Sequence, residues 1–452
     1  MKRGKLTALC LAIAAGSMVP RASFATDGYF ANGYGLKSIA MGGAAMAVAL
    51  EPFGGATNPG AMSFLGNEWQ LGIAWFSPNR EASRTGSLAG IDASVDSGST
   101  NFFIPEVGVN WRIRPDLALG VTVVGNGGMN TDYPGGQISN ASACTEFWGK
   151  QPKGPYNLLC GQGDLGVDMM QLFVAPYASW QFAGGHSIGI APVIAYQRFK
   201  AEGLQVFDNP VFSTSPGNVT NNGYASSWGV GVRVGYMGQL TDWLSIGGSY
   251  ASKISMGDFD EYKGLFAEEG GFDIPSNFSL GVAFRPTSQW IIALDFERIY
   301  YDDVPSVNNP SHWIGYCVPP QMGGAGLNNY CLGASSGAGF GWQPIDVWKI
   351  GVQYQINDRW QVRAGYNHTD NPIGPSDVTF NILAPGVVKS QYSLGVTYRD
   401  SKEHEFTFAG MYAAHNEVTG PSLFNDFGLP APATETIGMK EYLLGAAYSF
   451  KF

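Results

Sequence analysis

The chain ends with Tyr442-Leu-Leu-Gly-Ala-Ala-Tyr-Ser-Phe-Lys-Phe452, and this stretch is the clearest indication of its architecture. Its even-numbered residues are all apolar or aromatic, whereas its odd-numbered residues are small or polar, with Leu443 as the exception. Successive side chains of a β-strand point to opposite faces, so this period of two predicts a strand with one apolar face. The rest of the chain tests what kind of sheet such a strand belongs to.

The composition favours a membrane β-barrel over a soluble protein or a helical membrane protein. Charged residues make up 14% of the chain, against about 25% in soluble proteins. Glycine accounts for 62 of 452 residues, where about 7% is usual. Beyond the N-terminus, no apolar run reaches the about 18 residues that a membrane-spanning helix needs. Frequent glycine, 13% aromatic residues, alternating strands and a terminal Phe are typical of bacterial outer-membrane barrels.

The N-terminus has the features of a secretory signal peptide over residues 1–25. Lys2, Arg3 and Lys5 precede an apolar core over residues 6–19, and Ser23-Phe-Ala25 supplies small residues for cleavage. Cleavage there removes four of the 26 basic residues and leaves 22 against 36 acidic ones, a net charge of −14. Such a charge disfavours nucleic acid as a partner. The predicted location is the outer membrane of a Gram-negative bacterium.

Four cysteines remain after the signal peptide, in two close pairs: Cys144 with Cys160, and Cys317 with Cys331. An even number of cysteines in a secreted chain favours disulfides. A structural zinc site is the alternative, but neither pair has C-x-x-C spacing. We expect two local disulfides and no metal.

Fourteen segments alternate in the same way, an even number as expected for a single-chain bacterial barrel. The segments cover residues 69–77, 103–113, 117–126, 169–181, 187–200, 228–238, 243–252, 278–286, 289–300, 346–356, 359–368, 391–399, 404–415 and 441–452. The connections between them alternate short and long, which is the pattern of tight periplasmic turns and long external loops. The sequence therefore predicts an all-β, 14-stranded antiparallel barrel over residues 69–452. Residues 26–68 are too many for a simple leader and are expected to form a plug inside the barrel; a periplasmic tail is the alternative.

Several short pieces, taken in order, resemble one family. They are Ser38-Ile-Ala-Met-Gly-Gly-Ala-Ala45, Asn58-Pro59, Asp273-Ile-Pro275, Leu280-Gly-Val-Ala-Phe-Arg-Pro286, Trp290-Ile-Ile-Ala-Leu-Asp295, Trp360-Gln-Val-Arg-Ala-Gly-Tyr366 and Asp370-Asn-Pro372. The chain resembles the FadL/TodX family of outer-membrane transporters for long-chain fatty acids and hydrocarbons. The resemblance implies a barrel plugged by an N-terminal hatch, an external groove where the ligand lands, and a sideways exit at a kink in the third strand.

The resemblance also implies two places where the protein changes shape. One is a hatch switch at Asn58, Pro59 and Gly60; the family usually has Ala at the third position, and Gly is expected to loosen the turn. The other is the lateral kink, expected at Gly125, Gly127 and Gly128, because glycines weaken strand pairing and permit a bulge. The alternative for these glycines is the ordinary start of a loop.

By loop order, the external groove falls on the loops at residues 201–227 and 253–277. Its predicted apolar residues are Phe207, Val211, Phe212, Phe259, Tyr262, Leu265 and Phe266. The spacing of Phe259, Tyr262 and Phe266 fits one helix face, and an exposed apolar cluster is typical of a binding surface. The alternative is loop-to-loop packing that caps the barrel. The acidic residues between them lack the spacing of an EF-hand calcium site.

Strand parity directs charged side chains of both signs into the lumen. The basic ones are Arg233, Lys349 and Arg363, and the acidic ones are Glu106, Asp295 and Glu297. A basic residue would suit a ligand carboxylate, but internal ion pairs are the favoured interpretation for most of these residues.

The sequence predicts passive uptake of hydrophobic molecules by a monomer whose partners are the ligand and outer-membrane lipid. A general diffusion porin for small polar solutes is the alternative, and a structural or adhesive surface protein is a third possibility. Catalysis is not expected, because the five His residues are scattered and none matches a nucleophile by spacing. No cofactor is expected.

Overall fold

The computed structural model describes residues 27–139, 144, 154–427 and 432–452. The predicted signal peptide lies outside the described residues. Fourteen long strands form the wall of the molecule. In chain order these strands are β1 (Glu68–Thr85), β2 (Phe102–Arg114), β3 (Leu117–Asn130), β4 (Gly166–Ala183), β5 (His186–Glu202), β6 (Ala225–Gln239), β7 (Leu244–Ala251), β8 (Asn277–Phe284), β9 (Trp290–Ile299), β10 (Ile345–Gln355), β11 (Trp360–Thr369), β12 (Ser390–Arg399), β13 (His404–Pro421) and β14 (Thr434–Lys451).

Each strand pairs antiparallel with the next along the chain, and the last strand returns to the first. The β14–β1 seam is in continuous register from Glu68 opposite Lys451 to Thr85 opposite Thr434. The predicted closed, 14-stranded antiparallel barrel is therefore confirmed. Two further short strands, Ala93–Asp96 and Ser255–Met256, lie in loops and pair with β1 and β6.

Strand alternation gives the barrel an apolar outer surface and a polar inner one. On β6, for example, the apolar side chains of Trp228, Val230 and Val234 are exposed, whereas Arg233 between them is 6% exposed. Apolar residues on the outside of a closed sheet have no protein partner, and lipid is the environment that suits them. The same alternation directs the charged side chains of the strands into the inside of the barrel, where they can contact one another.

Among the described residues the helices named below are all short, and none is part of the barrel wall. The α-helices are Leu36–Ile39, Ala267–Gly270, Pro305–Asn308, Ile314–Cys317 and Val378–Asn381. The 3₁₀ helices are Pro52–Ala56, Pro59–Phe64, Gln205–Phe207, Asp260–Tyr262, Tyr301–Asp303, Ser311–Trp313, Pro320–Met322, Asn328–Tyr330, Pro375–Asp377 and Leu423–Phe427. In the part of the chain that the structure describes, no helix is long and apolar enough to cross a membrane.

The N-terminal segment, residues 27–67, contacts inward-facing side chains on opposite sides of the barrel. Glu106 of β2 accepts a hydrogen bond from the Gly35 amide at 3.2 Å. Across the barrel, Asp295 of β9 accepts bonds from the amides of Ala45 and Met46, both at 2.8 Å. The segment therefore joins strands that do not otherwise meet, and the first wall strand begins directly after it at Glu68.

Short turns lie at one end of the barrel and long loops at the other, as the alternating connections predict. Both cysteine pairs lie in the long loops and are at disulfide distance. The sulfur atoms of Cys144 and Cys160 are 1.98 Å apart, and those of Cys317 and Cys331 are 1.92 Å apart. The predicted pairing is thus confirmed.

Removal of one disulfide should loosen its loop without opening the barrel. The bond between Cys317 and Cys331 closes a loop of 14 residues, and a closure of that length contributes about 3 kcal/mol in the chain-entropy treatment. We expect the Cys317→Ser, Cys331→Ser double variant to be cleaved by external protease within this loop. Limited proteolysis of intact cells measures this, with heat-dependent gel mobility as the control for a closed barrel. A cleavage pattern identical to the unaltered protein would contradict the prediction.

Candidate functional site

The barrel wall is interrupted between β2 and β3 on the side of the long loops. The two strands pair only from Arg114 opposite Leu117 up to Val107 opposite Val123. Beyond that point, residues 102–106 of β2 pair with β1 alone, and residues 124–130 of β3 pair with β4 alone. All of residues 124–130 are buried on both faces. This part of β3 therefore turns away from β2, and the sheet has a gap there.

A bulge at Asn126 marks the point where β3 bends. The β3–β4 register shifts between Gly125 and Gly127, so that Asn126 is the extra residue. Its amide nitrogen donates to Gln171 at 2.9 Å, and its side-chain oxygen accepts from the Tyr34 hydroxyl at 2.6 Å. Bulges bend a strand and increase its twist. Of the three glycines predicted for the kink, Gly125 and Gly127 flank the bulge, and Gly128 follows in β3.

The N-terminal segment takes the place that β2 leaves empty. Phe30 forms an antiparallel bridge with Gly127, and the Ala31 amide donates to the carbonyl of Asn126 at 2.8 Å. A side chain at Gly127 would overlap the carbonyl oxygen of Tyr29. Backbone polar groups at membrane depth need partners within the protein. Residues 29–31 supply them to the unpaired edge of β3, so the gap is covered from inside.

The long loops enclose an apolar cavity above the N-terminal segment. Its volume is about 40 Å³. Only Ser306 contributes a hydroxyl to the lining. The lining residues are Leu159, Val167, Phe199, Leu204, Phe207, Leu265, Phe266, Ser306, Leu332, Ala338, Gly339, Phe340, Phe380 and Leu383.

The predicted external groove is not an exposed surface in this structure. Phe207, Phe212, Phe259, Tyr262 and Phe266 are each less than 5% exposed, while Val211 and Leu265 are half-buried. The predicted helix is also wrong: a 3₁₀ turn and a separate short helix stand in its place. The reason is that the aromatic rings pack on β5, with Phe266 and Tyr262 lying 4.7 and 4.9 Å from the ring of Phe199. Phe207, Leu265 and Phe266 line the loop cavity instead.

Aromatic side chains connect the loop cavity to the gap in the wall. Phe266 of the cavity lies 4.9 Å from Phe272, whose ring is 6.2 Å from Tyr29. Trp342 contacts both Phe340 of the cavity, at 6.4 Å, and Tyr29, at 5.7 Å. Tyr29 is the residue that lies against Gly127. A continuous series of aromatic contacts therefore leads from the loops to Tyr29, whose backbone lies at the edge of β3.

A larger side chain in the loop cavity should slow the passage of any molecule that moves through it. Ala338 lines the cavity and is 3% exposed. We expect Ala338→Phe to reduce uptake of a hydrophobic molecule about tenfold, equivalent to about 1.4 kcal/mol of binding, because the ring occupies the space that the molecule would enter. Ser335→Phe is the matched control, since Ser335 lies in the same loop but is exposed. Equal uptake by the two variants would show that the cavity is not on the route.

Asn58, Pro59 and Gly60 form a tightly packed corner between the N-terminal segment and the wall. The Asn58 amide nitrogen donates to the carbonyls of Met46 at 2.7 Å and Tyr236 at 2.9 Å, and its oxygen accepts from the Gly60 amide at 3.0 Å. A Cβ at Gly60 would lie 2.7 Å from the carbonyl oxygen of Gly235. The expectation that Gly60 loosens this turn is wrong, because the glycine is what permits close contact with β6.

The three basic residues predicted for the lumen are buried there with different partners. Lys349 is 2.7 Å from Glu297 and 3.6 Å from Asp27. Burial raises the pKa of Asp27, and the nearby charge of Lys349 offsets part of the rise. Arg233 donates instead to neutral groups, including the Thr57 carbonyl at 3.2 Å. Internal pairing therefore accounts for Lys349 but not for Arg233.

Arg363 also has neutral side-chain partners. It donates to Gln353 at 2.8 Å, to Thr397 at 2.7 Å and to Gln361. Of the predicted lumen carboxylates, Asp295 and Glu106 accept amide hydrogen bonds from the N-terminal segment, so they serve to hold it. Within the described residues, no group of three His, Cys, Asp or Glu side chains could hold a metal ion.

Comparison with known proteins gives a family for this arrangement. A family model described as outer membrane protein transport protein (OMPP1/FadL/TodX) matches residues 159–452. The chain belongs to this family. The family transports hydrophobic compounds across the outer membrane, and its members are transport channels rather than enzymes. No curated protein sequence matches the chain.

Solved structures of FadL/TodX proteins share the fold over nearly their whole length. The toluene transporter TodX of Pseudomonas putida superposes with a TM-score of 0.65 at 17% identity, covering 93% of this chain and 99% of TodX. A FadL homologue of Pseudomonas aeruginosa gives 0.64 at 14%, covering 94% and 100%. The toluene transporter TbuX of Ralstonia pickettii gives 0.61 at 16%, covering 93% and 99%. At these identities the likeness establishes the fold alone.

Sequence reasoning missed one residue that marks the wall gap in this FadL/TodX protein. Pro105 lies in the stretch of β2 that pairs with β1 only. Proline has no N–H to offer a neighbouring strand and is confined to edges and bulges. A proline in the second strand opposite glycines in the third was therefore a signal for the gap. The pairing of residues 30 and 31 with β3 left no such signal, because it depends on the N-terminal segment being in place.

Proposed function

We propose that this protein takes up hydrophobic molecules passively and releases them sideways into the membrane. The observation that carries the proposal is the gap between β2 and β3, where residues 30 and 31 pair with the free edge of β3 from inside. A molecule would enter the loop cavity, pass along the aromatic contacts to Tyr29, and leave through the gap. Partition into the hydrocarbon layer supplies the driving force, since burying apolar surface is favourable by about 25 cal/mol per Å².

In this proposal the long loops face the outside and the short turns face the periplasm, as in other outer-membrane barrels. The N-terminal segment acts as a hatch that pivots about the Asn58 corner. In this proposal, movement of residues 29–31 away from the Phe30–Gly127 bridge and the Ala31–Asn126 hydrogen bond uncovers the gap. A sideways route suits an apolar molecule, since the charged lumen below offers it no favourable contact.

The porin alternative receives no support from the lumen. A general diffusion pore needs an open path along the barrel axis, whereas residues 27–67 bridge opposite walls and are largely buried. If the protein were instead a structural or adhesive surface protein, changes to the loop cavity would not alter uptake. The two alternatives therefore predict different results in one assay.

The test is uptake by cells that lack their own transporter and express this chain. Labelled oleate, dodecane, toluene and a small sugar are offered in parallel, with and without Ala338→Phe. Uptake of any of the first three that the cavity variant reduces supports the proposal and gives the substrate class. Uptake of the sugar alone would show that the protein is a porin. Uptake of none of the four compounds would show that the gap in the wall does not serve the uptake of these hydrophobic molecules.

A further inference from the structure

The side chain of Glu441 is a carboxylate buried inside the barrel without a hydrogen-bond partner. It points inward from β14 and is fully buried. Among the described residues, neither of its oxygens accepts a hydrogen bond. A buried carboxylate is costly unless a cation or a hydrogen-bond donor accompanies it. We therefore expect a donor or a cation beside Glu441 in the assembled protein.

The charged groups around Glu441 include more carboxylates than basic groups. Arg80 and Asp27 are close enough to affect its charge. Arg80 donates to a loop carbonyl at 3.3 Å rather than to Glu441. Beside Asp27, the ammonium group of Lys349 lies 3.6 Å from Asp27 and 2.7 Å from Glu297. Among these groups, three carboxylates therefore face two basic side chains, and one further cation would balance them.

The strand register places Glu441 beside the first described residue of the chain. The carboxylate of Asp27 accepts hydrogen bonds from Asn367 at 3.2 Å and from Gln391 at 3.0 Å. Asn367, Gln391, Ala413 and Glu441 lie opposite one another in turn on β11 to β14. Gln391 and Glu441 are thus two strand spacings apart, about 10 Å. At this level only the methyl group of Ala413 lies between them, so the space next to Asp27 extends towards Glu441.

The predicted removal of the signal peptide creates a cation next to Asp27. Cleavage after Ala25 makes Thr26 the first residue, and its α-amino group then directly precedes Asp27. An α-amino group has a pKa of about 8, so it is charged at neutral pH. Consecutive Cα atoms are about 3.8 Å apart, and the new charge therefore belongs to the same part of the lumen as Asp27.

The N-terminal segment contains one buried ion pair of a similar kind further along. Lys37 is 3% exposed, and its ammonium group lies 2.9 Å from Glu405 of β13 and 3.5 Å from Glu68 of β1. Lys451 of β14 lies 2.5 Å from the same Glu405. Wall carboxylates near the junction of the first and last strands thus bind an ammonium group of the segment.

We propose that the α-ammonium group of Thr26 forms a buried ion pair with Glu441. The pair fixes the start of the N-terminal segment to β14, a few residues before residues 30 and 31 pair with β3. It forms only in the cleaved chain, because in the precursor the same nitrogen belongs to an uncharged peptide bond. The inference goes beyond the proposed function and does not depend on which molecule the protein transports.

A double-mutant cycle followed by hydrogen exchange tests the pair. One change is Glu441→Gln, and the other inserts a glycine between Ala25 and Thr26, which moves the terminal ammonium group by about one residue, 3.8 Å. We expect either change alone to speed amide exchange in residues 27–31 about tenfold, and both together to have no larger effect than one. Glu417→Gln is the matched control, since Glu417 is exposed on the neighbouring strand β13. It should exchange as the unaltered protein does.

Three results would overturn the proposal. If Glu441 had no cationic partner, glutamine there would remove a costly charge, and exchange would be unchanged or slower. Effects that add in the combined variant would mean that the two changes act separately. An intact mass showing that the unaltered protein does not begin at Thr26 would remove the cation itself.

Two controls keep the test valid if a variant is damaged. Heat-dependent gel mobility verifies that each variant is a closed barrel, and intact mass verifies its first residue. If Glu441→Gln does not fold, the inserted glycine alone carries the test. It is then compared with Thr26→Ser, which keeps the ammonium group in place and should exchange as the unaltered protein does. Equal exchange in these two variants would overturn the pair.

Discussion

Gly127→Val should detach residues 29–31 from β3 and make the barrel leak. Any Cβ at this position would overlap the backbone of Tyr29, and a backbone atom cannot rotate away as a side chain can. The Phe30–Gly127 bridge would be lost, and the edge of β3 would be left without its partner. We expect the rate of sugar entry in a liposome-swelling assay to rise about tenfold, as a loss of about 1.4 kcal/mol in seating the segment would produce.

Gly410→Ala is the matched control for this substitution. Gly410 lies in β13, and a Cβ there would meet the flexible end of the Leu444 side chain at 3.1 Å, which can move. Its swelling rate should equal that of the unaltered protein. If Gly127→Val also swelled at that rate, the close contact with Tyr29 would not be what holds the N-terminal segment on the wall.

Asn58→Leu should release the corner of the N-terminal segment while keeping the side-chain volume. The substitution removes the donor to the Met46 and Tyr236 carbonyls and the acceptor of the Gly60 amide. Each buried polar group left without a partner costs about 1–3 kcal/mol, and Asn58 is fully buried. We expect residues 27–67 to exchange their amide hydrogens at least about tenfold faster, since about 1.4 kcal/mol of lost local stability has that effect.

Hydrogen exchange followed by mass spectrometry measures this effect peptide by peptide. The wall strands should keep their protection, because their ladder does not involve the Asn58 side chain. Asn222→Leu is the control: its amide also donates to two carbonyls, of Gly217 and Glu261, but these bonds are solvent-exposed and Asn222 is half-buried in a loop. Uniform loss of protection in the strands and the segment would mean that the corner supports the whole barrel rather than the segment.

The wall of the barrel could be predicted from the sequence because lipid on one side and polar groups on the other impose a period of two. All fourteen segments correspond to wall strands, and most ends agree to within three residues. The largest errors are in β1, β13 and β14, which extend beyond the predicted segments by six to eight residues, β14 at its start and the other two at their ends. Those extensions, such as Pro78-Asn79-Arg80 in β1, pair beyond the apolar band. No lipid faces them there, so the alternation that marks a strand is missing.

The candidate site was less predictable, because it depends on contacts between distant parts of the chain. The bulge at Asn126 could be expected from its flanking glycines, and the inward direction of Arg233, Lys349 and Arg363 followed from strand parity. The burial of Phe259 and Tyr262 could not, since an apolar residue in a long loop packs wherever a wall residue such as Phe199 meets it. The sequence likewise could not show which basic side chains lie without a carboxylate partner, because that depends on which residues are neighbours in the folded structure.

The network around Lys37 has a consequence for how the molecule assembles. Glu68 opens β1, Glu405 lies at the start of β13, and Lys451 ends β14, so the single ammonium group of Lys37 contacts carboxylates on both sides of the seam. Without Lys37, Glu68 would lose an ammonium partner in a place less than 5% exposed to water. We therefore expect the placement of the N-terminal segment to stabilise the junction between the first and last strands of the barrel.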